Sequence, residues 1–403
     1  MIKRTLQELC LNITDGKHGD CENEENSGYY FISCKDIFDG QINYKNARQI
    51  TKADFEETHK RTMLEVDDIL LTNSGTIGRM AFVREATTKT TFQKSVAIIK
   101  PDKQKVLPRY LYYQLQNCVP QFINSSNGSA QKNLLLSTMR TFQIEIEENR
   151  EKQEKIANTL SAYDDLIENN QKQIKLLEEA AQRIYKEWFV DLRFPGHENT
   201  KIVDGVPEGW RKSTVSEVSA ILRRGISPKY NENARGIVIN QKCIRQTIVS
   251  YDEARTQEKK SPVELELGES DIVICSTGAG TLGRVGQIFE VKENTTLDSH
   301  VTLIRANERV GQQYLFWSLK MQQDYLMNAG KGSTNQLELS RETIGSCEVL
   351  IPERKIAEQV EKNFVAIHNK MKECSMQIAR LREARDLLLP KLMSGEVEDQ
   401  NEI

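Results

Sequence analysis

The stretch DIVICSTGAGTLGR, Asp271 to Arg284, has the residue types and spacing closest to a chemical motif. It contains Gly278-Ala279-Gly280-Thr281-Leu282-Gly283, a literal G-x-G-x-x-G behind a short apolar run. In a dinucleotide site those glycines let a helix N-terminus approach a pyrophosphate. Here the following residues, VGQIFEVKE, read as a strand ending in a turn, so the helix is missing from the pattern. GKGST (Gly330 to Thr334) is too short for a P-loop, and no Asn-Pro-Pro-aromatic methyltransferase motif is present. No clustered carboxylates with a nuclease lysine stand out. The 8 cysteines are scattered without a C-x-x-C pair, and His18, His59, His197, His300 and His368 have no ligand-like spacing. Nothing therefore points to an active site, a metal or a cofactor, and none is expected.

The positioning elements occur twice. YYFISCKDI (Tyr29 to Ile37) matches GIVINQKCI (Gly236 to Ile244), and DDILLTNSGTIGR (Asp67 to Arg79) matches SDIVICSTGAGTLGR (Ser270 to Arg284). KSVAIIK from Lys94 matches SHVTLIR from Ser299, and YLYYQL from Tyr110 matches YLFWSL from Tyr314. NGSAQKNLLLS (Asn127 to Ser137) matches KGSTNQLELS (Lys331 to Ser340), and the openings at Leu6 and Val215 also agree. Matched blocks in one order indicate a tandem duplication. The first copy reads Asn73-Ser74-Gly75-Thr76-Ile77-Gly78, so only Gly-Thr-(Ile/Leu)-Gly-Arg is shared. The shared glycines are expected to make a tight strand-to-strand turn, with Thr76 and Arg79, or Thr281 and Arg284, at its tip.

Each copy ends in a heptad pattern. The first seam runs through Ile156, Leu160, Tyr163, Ile167, Asn170, Ile174, Leu177, Ala181, Ile184 and Trp188. The second, displaced by 204 residues throughout, runs through Val360, Phe364, Ile367, Met371, Cys374, Ile378, Leu381, Arg385, Leu388 and Leu392. Unbroken four-three spacing with charged flanks predicts pairing of two helices, each about 50 Å along its seam. Antiparallel pairing with full overlap sets Cys374 against Ile174, Arg385 against Tyr163 and Ile378 against Asn170. The expected fold is α+β: two similar mixed α/β domains, each followed by a long helix, the helices pairing as an antiparallel coiled coil in a pseudo-two-fold tandem repeat. The expected boundaries are 1–149 for the first domain, 150–190 for its helix and 191–208 for a Gly/Pro-punctuated linker. The second domain follows over 209–352, its helix over 353–393 with the regular run stopping at Pro390, and an acidic tail over 394–403.

Composition adds bounds: 403 residues, 38% hydrophobic, 28% charged, net charge -3, mean hydropathy -0.55. No apolar run approaches a membrane span, and MIKRTLQELC lacks a secretory h-region, so a cytoplasmic protein with reduced thiols is expected. Lys+Arg against Asp+Glu is 19 to 19 over residues 1–149 and 18 to 17 over 209–352. Neither domain is basic on average, so any nucleic-acid face must be local.

VDDILLTNSGTIGR and ESDIVICSTGAGTLGR, the helix starts IEIEENREKQEKIANTLSAYDDLIE and VLIPERKIAEQVEKNFVAI, the VPEGW before the second copy and the closing LLLPKLMSGEV together resemble the specificity subunit of type I restriction-modification enzymes. The likeness spans essentially the whole chain; the first helix start lacks the proline that the second keeps at Pro352. It implies two target-recognition domains, each reading one half of a split site in double-stranded DNA. It also implies helices that set the unread spacer, and a non-catalytic subunit that docks modification subunits and, through them, restriction subunits. The polar loops SSNGSAQKN and NAGKGSTNQ then become candidate DNA contacts, through Ser129, Gln131, Lys132 and Asn133 in one copy and Lys331, Ser333, Thr334, Asn335 and Gln336 in the other. Arg79 and Arg284, shared at the turns, are candidates for phosphate contact or a structural salt bridge, and Thr76 and Thr281 beside them are candidate DNA contacts; Lys94 and His300 lie in matched segments. With balanced charge, weak DNA binding by the isolated chain is expected, partner subunits neutralising much of the phosphate. The alternative from another class is a coiled-coil scaffold that displays two modules and binds no DNA.

Overall fold

The computed structural model describes residues 1–85, 89–126, 132–278, 280–330, 332 and 337–397. The chain divides into two compact units, one of Met1–Glu168 with Ala379–Ile403, the other of Asn169–Ile378.

In the first unit an antiparallel sheet has the order Cys10–Asp15, Val96–Pro101, Ile69–Thr72, Met80–Phe82. Ile13, Ile69, Leu71, Ala97 and Ile99 enter one core with Tyr110, Leu111, Tyr113 and Leu115 of helix Pro108–Asn117. The alternate residues Leu70, Val96 and Ile98 enter a second core with Ile32 and Phe92. Burial on both faces explains why these strands read as continuous apolar runs rather than alternating ones. A smaller sheet, Arg48–Gln49 beside Tyr30–Ile32 beside Thr90–Phe92, leads into helix Lys52–Thr62. The Thr51 hydroxyl caps that helix by accepting the Asp54 N–H. Ile2–Thr5 pairs with Gln143–Ile146, which delivers the chain to the first long helix.

The second unit repeats this layout. Its sheet has the order Ser219–Arg224, Val301–Ala306, Ile272–Cys275, Val285–Gln287, and Arg211–Thr214 pairs with Glu348–Ile351. Its smaller sheet is Arg255–Gln257, Gly236–Ile239, Thr295–Leu297. One difference matters: where the first unit has helix Lys52–Thr62, the second has a single turn, Val263–Leu265, after its edge strand.

The long helices run Arg150–Tyr185, continued by a wider turn at Lys186–Val190, and Arg354–Ser394. In the first unit Ala157 and Leu160 share a core with Leu389, Leu392 and Met393. There Arg385 donates to Asp164 at 2.6 Å, one residue from Tyr163, and Asp164 also accepts the Tyr113 hydroxyl at 2.6 Å. Burial opposes the Arg385 charge, yet hydrogen bonds from Arg385 to Asp164 and Asp386 hold its pKa above the usual arginine value. In the second unit Ala181, Tyr185 and Phe189 share a core with Ile356, Val360 and Phe364, and the Cys374 thiol lies 3.6 Å from Gln173 Oε1.

Burial departs from the heptad seam at the helix ends. Gln153, Ala157, Ser161, Tyr185, Phe189, His368, Leu389 and Met393 are buried although none is a seam residue. A helix of 3.6 residues per turn drifts from a 3.5-residue seam, and its ends face the sheets of their own unit. The second helix continues through Pro390 to Ser394. A proline this close to a helix C-terminus costs one hydrogen bond, and Leu392 and Met393 beyond it are buried in the first unit's core. Residues 191–208 are mostly exposed, with Phe194 and Pro207 buried. Phe194 and Trp210 meet at 4.7 Å with tilted rings and Trp210 meets Phe189 at 5.4 Å, while Ile202–Val203 pairs with Val206–Pro207. Glycine and proline marked that segment as a linker, but its flanking aromatics anchor it to the second unit. Among the described residues no group of His, Cys, Asp and Glu could hold a metal, and no helix is long and apolar enough to cross a membrane.

Candidate nucleic-acid interface

The glycine motif is a β-hairpin in both units. Leu71 faces Met80 and Ile274 faces Val285, so a strand follows the turn where a dinucleotide site needs a helix. Thr72 holds the first turn: its carbonyl accepts the Gly78 N–H and its hydroxyl the Arg79 N–H, both at 2.9 Å. The shared glycine has φ +92° at Gly78 and +73° at Gly283. A Cβ at Gly78 would lie 2.5 Å from Val119 Cγ1, and one at Gly283 would lie 2.4 Å from the Met327 nitrogen. The turn thus needs glycine twice over, for its left-handed backbone and for the helix lying against it.

The end of each polar loop is laid along this hairpin by main-chain bonds. The Leu134 N–H donates to the Asn73 carbonyl at 2.8 Å, with Ser74 and Asn133 bridged. The Leu339 N–H donates to the Ser276 carbonyl at 2.8 Å, with Thr277 and Glu338 bridged. Leu134 is therefore the counterpart of Leu339. The leucine run Leu134-Leu135-Leu136 leaves this pairing open in the sequence, and the main-chain bonds fix it at Leu134.

Thr76, Arg79, Lys94, Lys132 and Asn133 are exposed in the first unit. They converge, since Asn73 also donates to the Ser95 carbonyl at 3.1 Å, next to Lys94. In the second unit His300, its side chain 50% exposed, shares a 2.6 Å hydrogen bond with the Thr277 hydroxyl. Thr281 and Arg284 are half-buried, and Arg284 donates to the Gly280 carbonyl of its own turn at 2.5 Å. Ser129, Gln131, Lys331, Ser333, Thr334, Asn335 and Gln336 lie outside the described residues.

The units differ in how their cations are used. In the first, Lys17 pairs with Asp54 at 3.1 Å and Glu57 at 3.2 Å, and Arg61 donates to Asp15 at 2.7 Å. A hydrogen bond from the Glu22 N–H, then Lys17, hold the Asp54 carboxyl below its usual range. In the second, Arg255 lies over the Tyr230 ring, 3.6 Å from its centroid, and the Tyr230 hydroxyl donates to Asp298 at 3.4 Å. Asp298 accepts the His300 N–H at 3.0 Å, which ties this pair to the hairpin. Sequence reasoning missed Tyr230 and Arg255. The signal was present: residues 221–260 hold 9 Lys and Arg against 4 Asp and Glu, and 261–308 hold 3 against 8. Averaging over the domain erased it.

Residues 3–179 match the family model of the type I restriction modification DNA specificity domain. The type I restriction enzyme MjaIX specificity subunit of Methanocaldococcus jannaschii is 25% identical, over 91% of this chain and 86% of that one. The HindI specificity subunit of Haemophilus influenzae is 24% identical, over 79% and 84% respectively. The crystal structure of the type I restriction-modification S subunit from M. genitalium shares the fold, with a TM-score of 0.55 at 18% identity, covering 97% of this chain and 95% of that one. In its matched domain, along most of its length and in its fold, the chain is similar to the specificity subunits of type I restriction-modification enzymes.

Proposed function

We propose that the chain is the non-catalytic, sequence-recognising subunit of a cytoplasmic type I restriction-modification complex. Residues 1–149 and 209–352 form two target-recognition domains from a tandem duplication, each reading one half of a split site in double-stranded DNA. The observation that carries this reading is the recurrence, once per unit, of a glycine hairpin with a polar loop bonded along it. Exposed hydroxyl, amide, amine and imidazole groups cluster there, suited to base edges and phosphates.

The helices over 150–190 and 353–393 pair antiparallel, set the unread spacer and dock the modification subunits, through which restriction subunits join. The Asp164–Arg385 pair and the Gln173–Cys374 contact support that register, each within one residue of the alignment that matches Ile156 with Leu392. The test is to assemble the chain with its modification subunits and sequence the methylation marks left on DNA. A two-part target with a fixed gap is expected; methylation without a two-part consensus would refute the proposal.

A further inference from the structure

Arg255 and Arg48 hold the same place in the two units. In the smaller sheets Arg255 faces Val238 and Arg48 faces Phe31, on the strand that begins the first matched block. Their surroundings differ. The Arg48 guanidinium is consumed by Asp20, Asn23 and the Cys21 carbonyl, and only about a quarter of its side chain is exposed. Arg255 is exposed, and among the described residues no carboxylate makes an ion pair with it. Its guanidinium sits 3.6 Å from the centroid of the Tyr230 ring, itself 45% exposed, whereas Arg48 lies 5.6 Å from the centroid of the buried Phe31 ring. Helix Lys52–Thr62, which follows the Arg48 strand and brings Asp54 and Glu57 to Lys17, has no counterpart after Arg255.

We propose that Arg255 is a base-reading residue of the second recognition domain and that it reads a guanine in the major groove. This rests on the DNA-recognition function proposed above. An aromatic platform restricts the side chain before binding, so less rotamer freedom is lost when it engages. A guanidinium not held by a carboxylate can turn its N–H fork to the O6 and N7 acceptors of guanine, in a bidentate way that no other base edge reproduces. The link from Tyr230 through Asp298 to His300 and Thr277 joins it to the hairpin surface where the polar loop attaches.

The test uses the full chain assembled with its modification subunits. Methylation is measured on duplexes carrying every single base-pair change in the second half-site. The wild-type complex is expected to require a guanine there. Arg255→Lys, which keeps the charge and loses the fork, should relax one G·C position by roughly tenfold or more while the first half-site stays unchanged. Tyr230→Leu should relax the same position to a smaller degree. A second half-site without a required G·C pair, unchanged discrimination in Arg255→Lys, or an equal loss on all sequences (a phosphate contact) would each overturn the assignment. A wild-type complex with no two-part target would instead refute the function on which it rests.

Discussion

His368 is buried on the second long helix, its side chain 4% exposed, between Ser270, Gln287 and the Phe289 ring. Burial lowers its pKa from 6.5 to about 4, against a small opposing pull from Glu269 and with Lys372 adding to the depression. The unfolded chain therefore takes up a proton near pH 6.5 that the folded chain refuses until about pH 4. Stability from this site is complete above pH 6.5 and is lost as pH falls toward 4, by roughly 3 kcal/mol. Denaturant midpoints between pH 7.5 and 5 should fall more steeply for the wild type than for His368→Gln; parallel curves would contradict this. The glycine turn offers a second residue-level test. Gly280 and Gly283 have nearly the same φ, +74° and +73°, but a Cβ has open space at Gly280 and meets the Met327 backbone at Gly283. Gly280→Ala should cost about 1 kcal/mol from backbone strain alone, and Gly283→Ala clearly more, on the order of 2–4 kcal/mol, as read from unfolding midpoints.

At the scale of elements, the helix that leaves each sheet is held by polar as well as apolar contacts. Asp164 serves both Arg385 and the Tyr113 hydroxyl in a largely shielded setting, whereas Asp165 meets Arg84 at a half-exposed site. Asp164→Ala should therefore destabilise the chain by about 2–4 kcal/mol and Asp165→Ala by less than about 1 kcal/mol. The proposed antiparallel register makes a covalent prediction. With Cys374 as the one remaining thiol, Ile174→Cys should accept a short bis-thiol crosslink, and Asn170→Cys should accept it poorly. Efficient linkage at 170, with none at 167, 174 or 181, would reject that register. Much of this level was readable from residue order, because a heptad seam and a glycine hairpin are local, repeating patterns. Sequence showed less where tertiary contact overrides pattern. Phe194 and Trp210 anchor the glycine-punctuated linker to the second unit's core, and Leu392 and Met393 hold the helix turn beyond Pro390 in the first unit's core. Tyr230 and Arg255 are 25 positions apart and meet because Tyr230 bridges Gln257 on the Arg255 strand.

For the whole molecule, the proposed two-module reader predicts separable halves. Exchanging residues 209–352 for the corresponding domain of a relative should alter one half of the methylated target and leave the other intact. Coupled changes in both halves would argue against two modules. Removing seven residues from each long helix should shorten the tolerated gap by about 10 Å, or roughly three base pairs, in the sequenced methylation target. A gap of unchanged length would mean the helices do not set it.

The main-chain attachment of the polar loop to the hairpin has a consequence for how such a protein changes over time. The Leu134–Asn73 and Leu339–Ser276 bonds use backbone groups that every residue except proline supplies. Side chains projecting from those segments can be replaced without loosening what holds the loop. Under the proposed DNA-reading role of these loops, drift in the preferred target is uncoupled from loss of the fold, and a lineage can explore new targets through single substitutions while each intermediate still folds.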